Sequence, residues 1–347
     1  MNAITLEKRL DVLWESQLPF VVFRLPESKK VTIFFQDDKQ LYTTTDFSES
    51  GFVMTSFENS EDYPFIPNSK IESFTKPSTQ FIDNQPIVFP DSPKSKQEFV
   101  NLVEAAKEEI AQGKLQKVVL SRFLDLHSEK KPHKLFLALE SKYTHALTYL
   151  WHHPLVGSWL GATPEQFVEL TPTRTHTMAL AGTQVYNPDK PPLWSNKEKE
   201  EQGLVTQQLL LDLKRVYEEG EIEYSDPKDK RAGNLVHLCT YFSMPKLKTS
   251  LKNLTQVLHP TPAVGGVPKK EAKNFILNKE EYSRSFYTGF LGPITSDKTS
   301  LFVNLRCAEW KSGRLRLYVG AGITSSSDSE QEWKETQRKA ETLAQIV

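Results

Sequence analysis

Strand-like runs follow one another along this chain without the regular helical interludes that a parallel sheet requires. Apolar or alternating runs at 115–126, 146–151, 156–160 and 167–170 succeed one another, and runs at 286–291, 301–310 and 315–323 do the same near the C-terminus. A parallel neighbour needs a crossover of about a dozen residues or more. The pattern therefore favours α+β with largely antiparallel sheets over strict βαβ alternation. Helical patterns punctuate the runs. Ser95-Lys-Gln-Glu98 reads as a capping box opening a helix with the stripe Phe99, Leu102, Val103, Ala106 and Ile110, stopped by Gly113. A helix from Ser195 carries Val205, Leu209, Leu213 and Val216, and a last helix starts near Glu330.

Residues 1–90 read as a short helix followed by strands at 20–25, 31–35 and 52–57, and suggest no chemistry. A boundary falls at the Pro- and Asp-containing stretch 89–93, dividing a strand-rich 1–90 from 91–347. The chain has 347 residues, 38% of them apolar, and a net charge of −1, enough material for one large domain or two. Balanced charge argues against a nucleic-acid surface. No apolar run reaches the ~18 residues of a membrane span, and the N-terminus lacks signal-peptide order. Cys239 and Cys307 stand in apolar surroundings without ligand spacing, which suits reduced core thiols and a cytoplasmic protein.

Two Glu-x-x-Glu pairs, Glu198/Glu201 and Glu332/Glu335, occupy the first turns of the two later helices, each introduced by a serine, Ser195 or Ser329. Carboxylates at i and i+3 share a helix face, so four of them converging from two helices would suit a hard divalent cation, most plausibly Mg²⁺. Capping explains Glu198 and Glu332 equally well. It does not explain Glu201 and Glu335, a turn further in. If a metal binds, those two are the candidate direct ligands, with Glu198 and Glu332 acting through water.

Eight segments occur in order: KVVLSR at 117–122, GATPE at 161–165, ALAGT at 179–183, the first Glu pair, LHPTPAVGGVPK at 258–269, NLRCA at 304–308, GAGI at 320–323 and EWKETQRK at 332–339. Together they resemble the chorismate-binding enzymes, and within them the isochorismate synthases, over about residues 95–347. The resemblance implies a single large α+β domain whose two sheet-and-helix halves enclose a central cleft, with Mg²⁺ and chorismate between them.

It also implies roles. Lys117 would be the base that activates water, although periodicity alone reads it as a strand lysine facing solvent. Glu165 would be the acid that protonates the departing 4-hydroxyl, in a pocket that raises its pKa; without the family it is an ordinary turn carboxylate. Glu201 and Glu335 would ligate Mg²⁺ directly, with Glu198 and Glu332 reaching it through water. Arg306 would clamp the enolpyruvyl carboxylate, the alternative being a buried ion-pair partner. Tyr287 would add its hydroxyl. Gly320 and Gly322 would let backbone N–H groups approach the ring carboxylate, and Gly182, beside Thr183, would leave room for the ring. Lys339 either offsets local negative charge or is a solvated surface lysine. His237 and His259 read as structural hydrogen-bonding residues.

Three features separate the relatives. Aminating members typically carry glutamine where Lys117 stands, and aminodeoxychorismate synthases often place a nucleophilic lysine at the position of Ala181. The loop LHPTPAVGG resembles isochorismate synthases rather than the aminating or salicylate-forming members. The expectation is therefore conversion of chorismate to isochorismate, for menaquinone as the more widespread use or for a siderophore, with a salicylate synthase as the nearer alternative and a non-catalytic paralogue as the more distant one. No amidotransferase subunit is expected, and a monomer or weak dimer is. Gln202 and Gly203 depart from the family's pattern after the metal glutamate.

Overall fold

The computed structural model describes residues 5–58, 60–76, 89, 92–233 and 235–347; Pro90 and Asp91 of the expected boundary lie outside the described residues. Two sheets dominate. One has nine strands in the order Gly266–Val267, Lys117–His127, Arg314–Ile323, Cys307–Lys311, Gly157–Thr163, Leu147–His153, Phe20–Arg24, Lys30–Phe35 and Ile71–Thr75. The other, of ten, runs Glu223–Tyr224, Leu235–Pro245, Arg174–Val185, Gln166–Leu170, Thr299–Val303, Phe290–Ile294, Gly51–Met54, Tyr63–Pro67 and Tyr42–Thr44, with Lys228–Ala232 also paired to Leu235–Pro245. Every pairing among the described residues is antiparallel.

The two sheets face each other. Phe23, Trp151, Trp159 and Tyr318 of the first interleave with Phe52, Leu291 and Phe302 of the second in one buried cluster. Helices cover both outer faces. Leu6–Ser16, Pro132–Lys142 and Ser329–Ala344 bury Leu10, Leu139 and Leu343 against Leu150 and Leu317. Asn196–Leu213 and Leu251–Leu258 bury Val205, Leu209 and Leu254 against Ala179 and Leu301. Pro93–Ala111 and Lys269–Lys279 close one end of the first sheet with Phe99 and Ile276. Each layer hides an apolar face that neither helix nor sheet could hide alone. Residues 1–90 are shared between the sheets, three strands to each.

Five local expectations are corrected. The apolar run 301–310 is two strands in different sheets, because the chain leaves the second sheet after Val303 and joins the first at Cys307, turning through Arg306 at φ 49°. The helix expected from Ser95 begins earlier: Ser92 is its N-cap, and Ser95 is the third residue of a box with it. The last helix is capped by the Asp328 side chain, so Ser329 lies inside it and makes no box with Glu332. A helix, Pro132–Lys142, separates the first two strand runs, and the long pair Arg174–Val185 and Leu235–Pro245 appears where no strand is expected. The box of Ser195 with Glu198 is formed.

Candidate active site

The chain crosses between the sheets at two places that lie side by side. From Thr163 to Gln166 it passes from the first sheet to the second, and from Val303 to Cys307 it returns. The crossings are stitched together: Val303 N–H donates to Glu165 C=O at 2.9 Å, Ala162 N–H to Arg306 C=O at 3.1 Å, and Thr163 Oγ1 to Val303 C=O at 2.6 Å. One crossing thereby fixes Glu165 and the other Arg306, facing a common cavity. Lys117, Gly320 and Gly322 line it from the first sheet, Gly182 and Thr183 from the second. Tyr287 closes it from the loop before Phe290, and Glu201, Glu335 and Lys339 reach it from the two helices. Glu198 and Glu332 do not line it.

Burial sets the chemistry of these groups. Glu165 is 3% exposed. Desolvation pushes its pKa up to about 7, against the pull of Lys117 and Lys339, so it can hold a proton near neutrality. Lys117 is 1% exposed and faces inward rather than to solvent, with its Nζ 3.0 Å from Glu201 Oε1. Arg306 is buried without a carboxylate partner in ion-pair range among the described residues. Its Nη1 donates to Thr342 Oγ1 at 3.0 Å, and its Nη2 lies 3.4 Å from His237 Nε2. Burial also raises the Tyr287 pKa, keeping that hydroxyl a neutral donor.

His237 is more than the structural residue expected. It lines the cavity, and its Nδ1 lies 2.9 Å from Gly182 C=O. Burial, with Arg306 and Lys339, lowers its pKa to about 3. A neutral ring donating from Nδ1 leaves Nε2 to accept from Arg306. His259 does match the expectation, buried with its Nε2 3.0 Å from Phe57 C=O.

The glutamates divide as their positions in the helices suggest. Glu198 spends both oxygens locally, accepting from Ser195 N–H at 2.7 Å and Gln184 Nε2 at 3.0 Å. Glu332 is buried and paired to Lys197 at 2.7 Å; desolvation and the nearby Glu335 raise its pKa. Glu335 is opposed by burial, but Lys339 at 2.7 Å holds its carboxyl below the usual range. Lys339 also donates to Gly320 C=O at 2.9 Å, so it is a partner within the site and not a solvated surface lysine.

Among the described residues no three His, Cys, Asp or Glu groups gather closely enough to hold a metal. The donor chemistry nonetheless suits Mg²⁺, which typically takes only one or two protein carboxylates and keeps its waters. Glu201 and Glu335 are the two carboxylates whose pairing lysines, Lys117 and Lys339, stand with them in the cavity, where a divalent cation would supply the same charge. Gln202 points elsewhere, its Nε2 donating to Ala179 C=O at 3.1 Å and to Thr240, and a Cβ on Gly203 would enter open space.

A scaffold that sequence reasoning missed lies behind Lys117. Arg284 and Glu280, both 2% exposed, pair at 2.6 Å; Arg284 also donates to Val119 C=O at 2.7 Å and Val264 C=O at 3.0 Å. Glu280 accepts from Ser121 N–H at 2.8 Å. The 258–268 loop is thus locked to the Lys117 strand. Lys197 and Thr342 were also missed, because their partners, Glu332 and Arg306, lie far away along the chain.

The family model described as chorismate binding enzyme matches residues 31–347. The chain belongs to the chorismate-binding enzymes. Among curated members of that family, isochorismate synthase MenF of Escherichia coli K12 is 31% identical over 261 residues, which cover 72% of this chain and 60% of that one. Isochorismate synthase EntC of the same strain is 30% identical over 260 residues, 72% of this chain and 66% of its own. The match thus spans no more than about two thirds of either relative. Solved structures agree in fold along nearly the whole chain. A DhbC of Bacillus anthracis, described as a 2,3-dihydroxybenzoate-specific isochorismate synthase, superposes with TM-score 0.79 at 23% identity, covering 97% of this chain and 98% of that one. The E. coli MenF structure gives 0.79 over 94% of this chain and 88% of its own.

Proposed function

We propose that this chorismate-binding enzyme is an isochorismate synthase, adding water at C2 of chorismate as the 4-hydroxyl leaves. The observation that carries the reading is the pairing in one cavity of a buried lysine, Lys117, with a buried carboxyl, Glu165, whose pKa stands at about 7. Lys117 takes a proton from water as its oxygen bonds to C2. The ring double bonds shift, and Glu165 gives its proton to the hydroxyl leaving C4, which departs as water. Atoms and charge balance, and the product is an isomer of the substrate.

Arg306, charged and without a carboxylate of its own, receives the enolpyruvyl carboxylate, with the Tyr287 hydroxyl beside it. Gly320 and Gly322 let the ring carboxylate approach the backbone. Mg²⁺ held by Glu201 and Glu335 would neutralise that carboxylate and polarise the ring. Glu201, which would hold the ion, is the carboxylate 3.0 Å from Lys117 Nζ. Lysine at position 117 and alanine at 181 support water as the nucleophile, and no amidotransferase partner is invoked.

We assign the product to menaquinone synthesis in the cytoplasm. Among the described residues no helix is long and apolar enough to cross a membrane. The activity is tested by incubating the chain with chorismate and Mg²⁺ and identifying the product by proton NMR: isochorismate supports the reading, and anthranilate, aminodeoxychorismate or no product overturns it. Menaquinone loss on deletion of the gene tests the pathway.

A further inference from the structure

The catalytic cavity shares two wall residues, Arg306 and Pro164, with a second cavity of about 670 Å³. Lys142, His145, Arg231 and Arg306 line that second space, and among the described residues no carboxylate does. A third space shares Pro164, His145 and Arg231 with the second and adds Lys230 and Lys298 together with Glu27, Glu169 and Asp229. Pro164, next to Glu165, lines all three, so the three spaces adjoin one another beside the acid.

The cations on this route differ in availability. In the outer space Lys298 is paired with Glu169 at 2.7 Å, and His145 lies 3.2 Å from Glu27. Lys230 and Arg231, consecutive on the strand Lys228–Ala232, have no carboxylate within ion-pair distance among the described residues. Arg231 is exposed, lies 3.9 Å over the Tyr186 ring and donates to Gly233 C=O at 3.0 Å. Lys230 sits 5.5 Å over Tyr241, and its charge is felt at Glu165 and His237. Both are held by rings and a carbonyl rather than by an ion pair, and the neighbouring Asp229, which lines the same space, accepts instead from Trp194 Nε1 at 2.8 Å. Arg306 waits with a free positive charge at the inner end.

We propose that the second cavity is the port by which a dicarboxylate anion reaches the active site, met first by Lys230 and Arg231 and handed to Arg306. The inference rests on the proposed chorismate reading, which supplies a dianion as substrate. Unpaired charge lining a low-dielectric cleft focuses the field and speeds association more than it tightens the final complex.

The test measures the association rate of chorismate with the full chain by stopped flow, in ~20 mM and ~1 M salt, the latter having a Debye length of about 3 Å. The Lys230→Glu/Arg231→Glu variant should associate about 10-fold more slowly at low salt, match wild type at high salt, and keep kcat within about twofold. Arg231→Lys, which keeps the charge, should behave as wild type. So should Lys94→Glu, a charge reversal on a helix residue 86% exposed and outside these cavities. The port is overturned if the double variant associates at the wild-type rate, if Lys94→Glu slows association equally, or if the defect persists at high salt. A wild type that binds chorismate without converting it contradicts the proposed activity alone, and its association rates still decide the port.

Discussion

The ammonium of Lys117 lies 3.0 Å from the carboxylate of Glu201, joining a strand of one sheet to the helix that covers the other. The expected base and an expected metal ligand are therefore partners. Replacing Lys117 by Gln should lower turnover by roughly 10²- to 10⁴-fold, the usual size of a general-base contribution, while chorismate binding stays within a few-fold. Calorimetric titration beside steady-state kinetics checks this. Parallel loss of binding and turnover would make Lys117 a substrate clamp.

The four glutamates should separate in mutation as they do in space. Glu201→Gln and Glu335→Gln, which alter the carboxylates facing the cavity, should abolish Mg²⁺-dependent turnover. Glu198→Gln and Glu332→Gln, set back from it, should raise the Mg²⁺ concentration for half-activity by about 10- to 100-fold. Titrating metal into EDTA-treated protein reads both effects. Full activity of either cavity variant in EDTA would remove the metal from the account.

The sequence made parts of this site legible and hid others for identifiable reasons. The Ser195 box marked the start of the Glu201 helix because capping is local, involving residues three apart. The Ser329 box is absent because the helix starts one residue earlier than expected, with Asp328 as the N-cap accepting from Gln331 N–H, which puts Ser329 inside the first turn. The run 301–310 looked like one strand because both sheets bury it, and periodicity does not record which sheet a residue joins. The pairing of Thr163 with Val303 and of Arg306 with Thr342 depends on contacts between distant segments, which no local pattern carries. The roles of Lys117 and Glu165 were read from family motifs; the cavity and its burial came only with the fold.

Glu165 should impose a pH signature on both activity and stability. As an acid it must carry its proton, so kcat/KM should fall as pH rises through about 7. Its folded pKa lies above the ordinary 4.5, so its contribution to stability is complete below about pH 4.5 and is lost as pH rises through about 7. The loss is up to about 3 kcal/mol at 1.36 kcal/mol per pKa unit. Urea unfolding across pH 4–8 should show this slope in wild type and not in Glu165→Gln.

Gly322→Ala should disable the site while leaving the fold intact. An added Cβ would stand 2.6 Å from Glu201 Oε1 and 3.0 Å from Lys117 Cε, forcing the pair apart. Turnover should drop by about 10²-fold, the cost of misplacing catalytic groups by about an ångström. Unchanged circular dichroism with lost activity is the expected result; wild-type activity would show that the Lys117–Glu201 geometry is not needed.

The central claim is that one cavity carries water addition and hydroxide loss and nothing further. The most direct measurement starts the reaction separately from chorismate and from isochorismate, with Mg²⁺, and follows both compounds, pyruvate and salicylate over time. Convergence on the same chorismate-to-isochorismate ratio from either side, without pyruvate or salicylate fluorescence, is the predicted result. Pyruvate and salicylate rising together at the rate of chorismate loss, with no isochorismate accumulating, would contradict it.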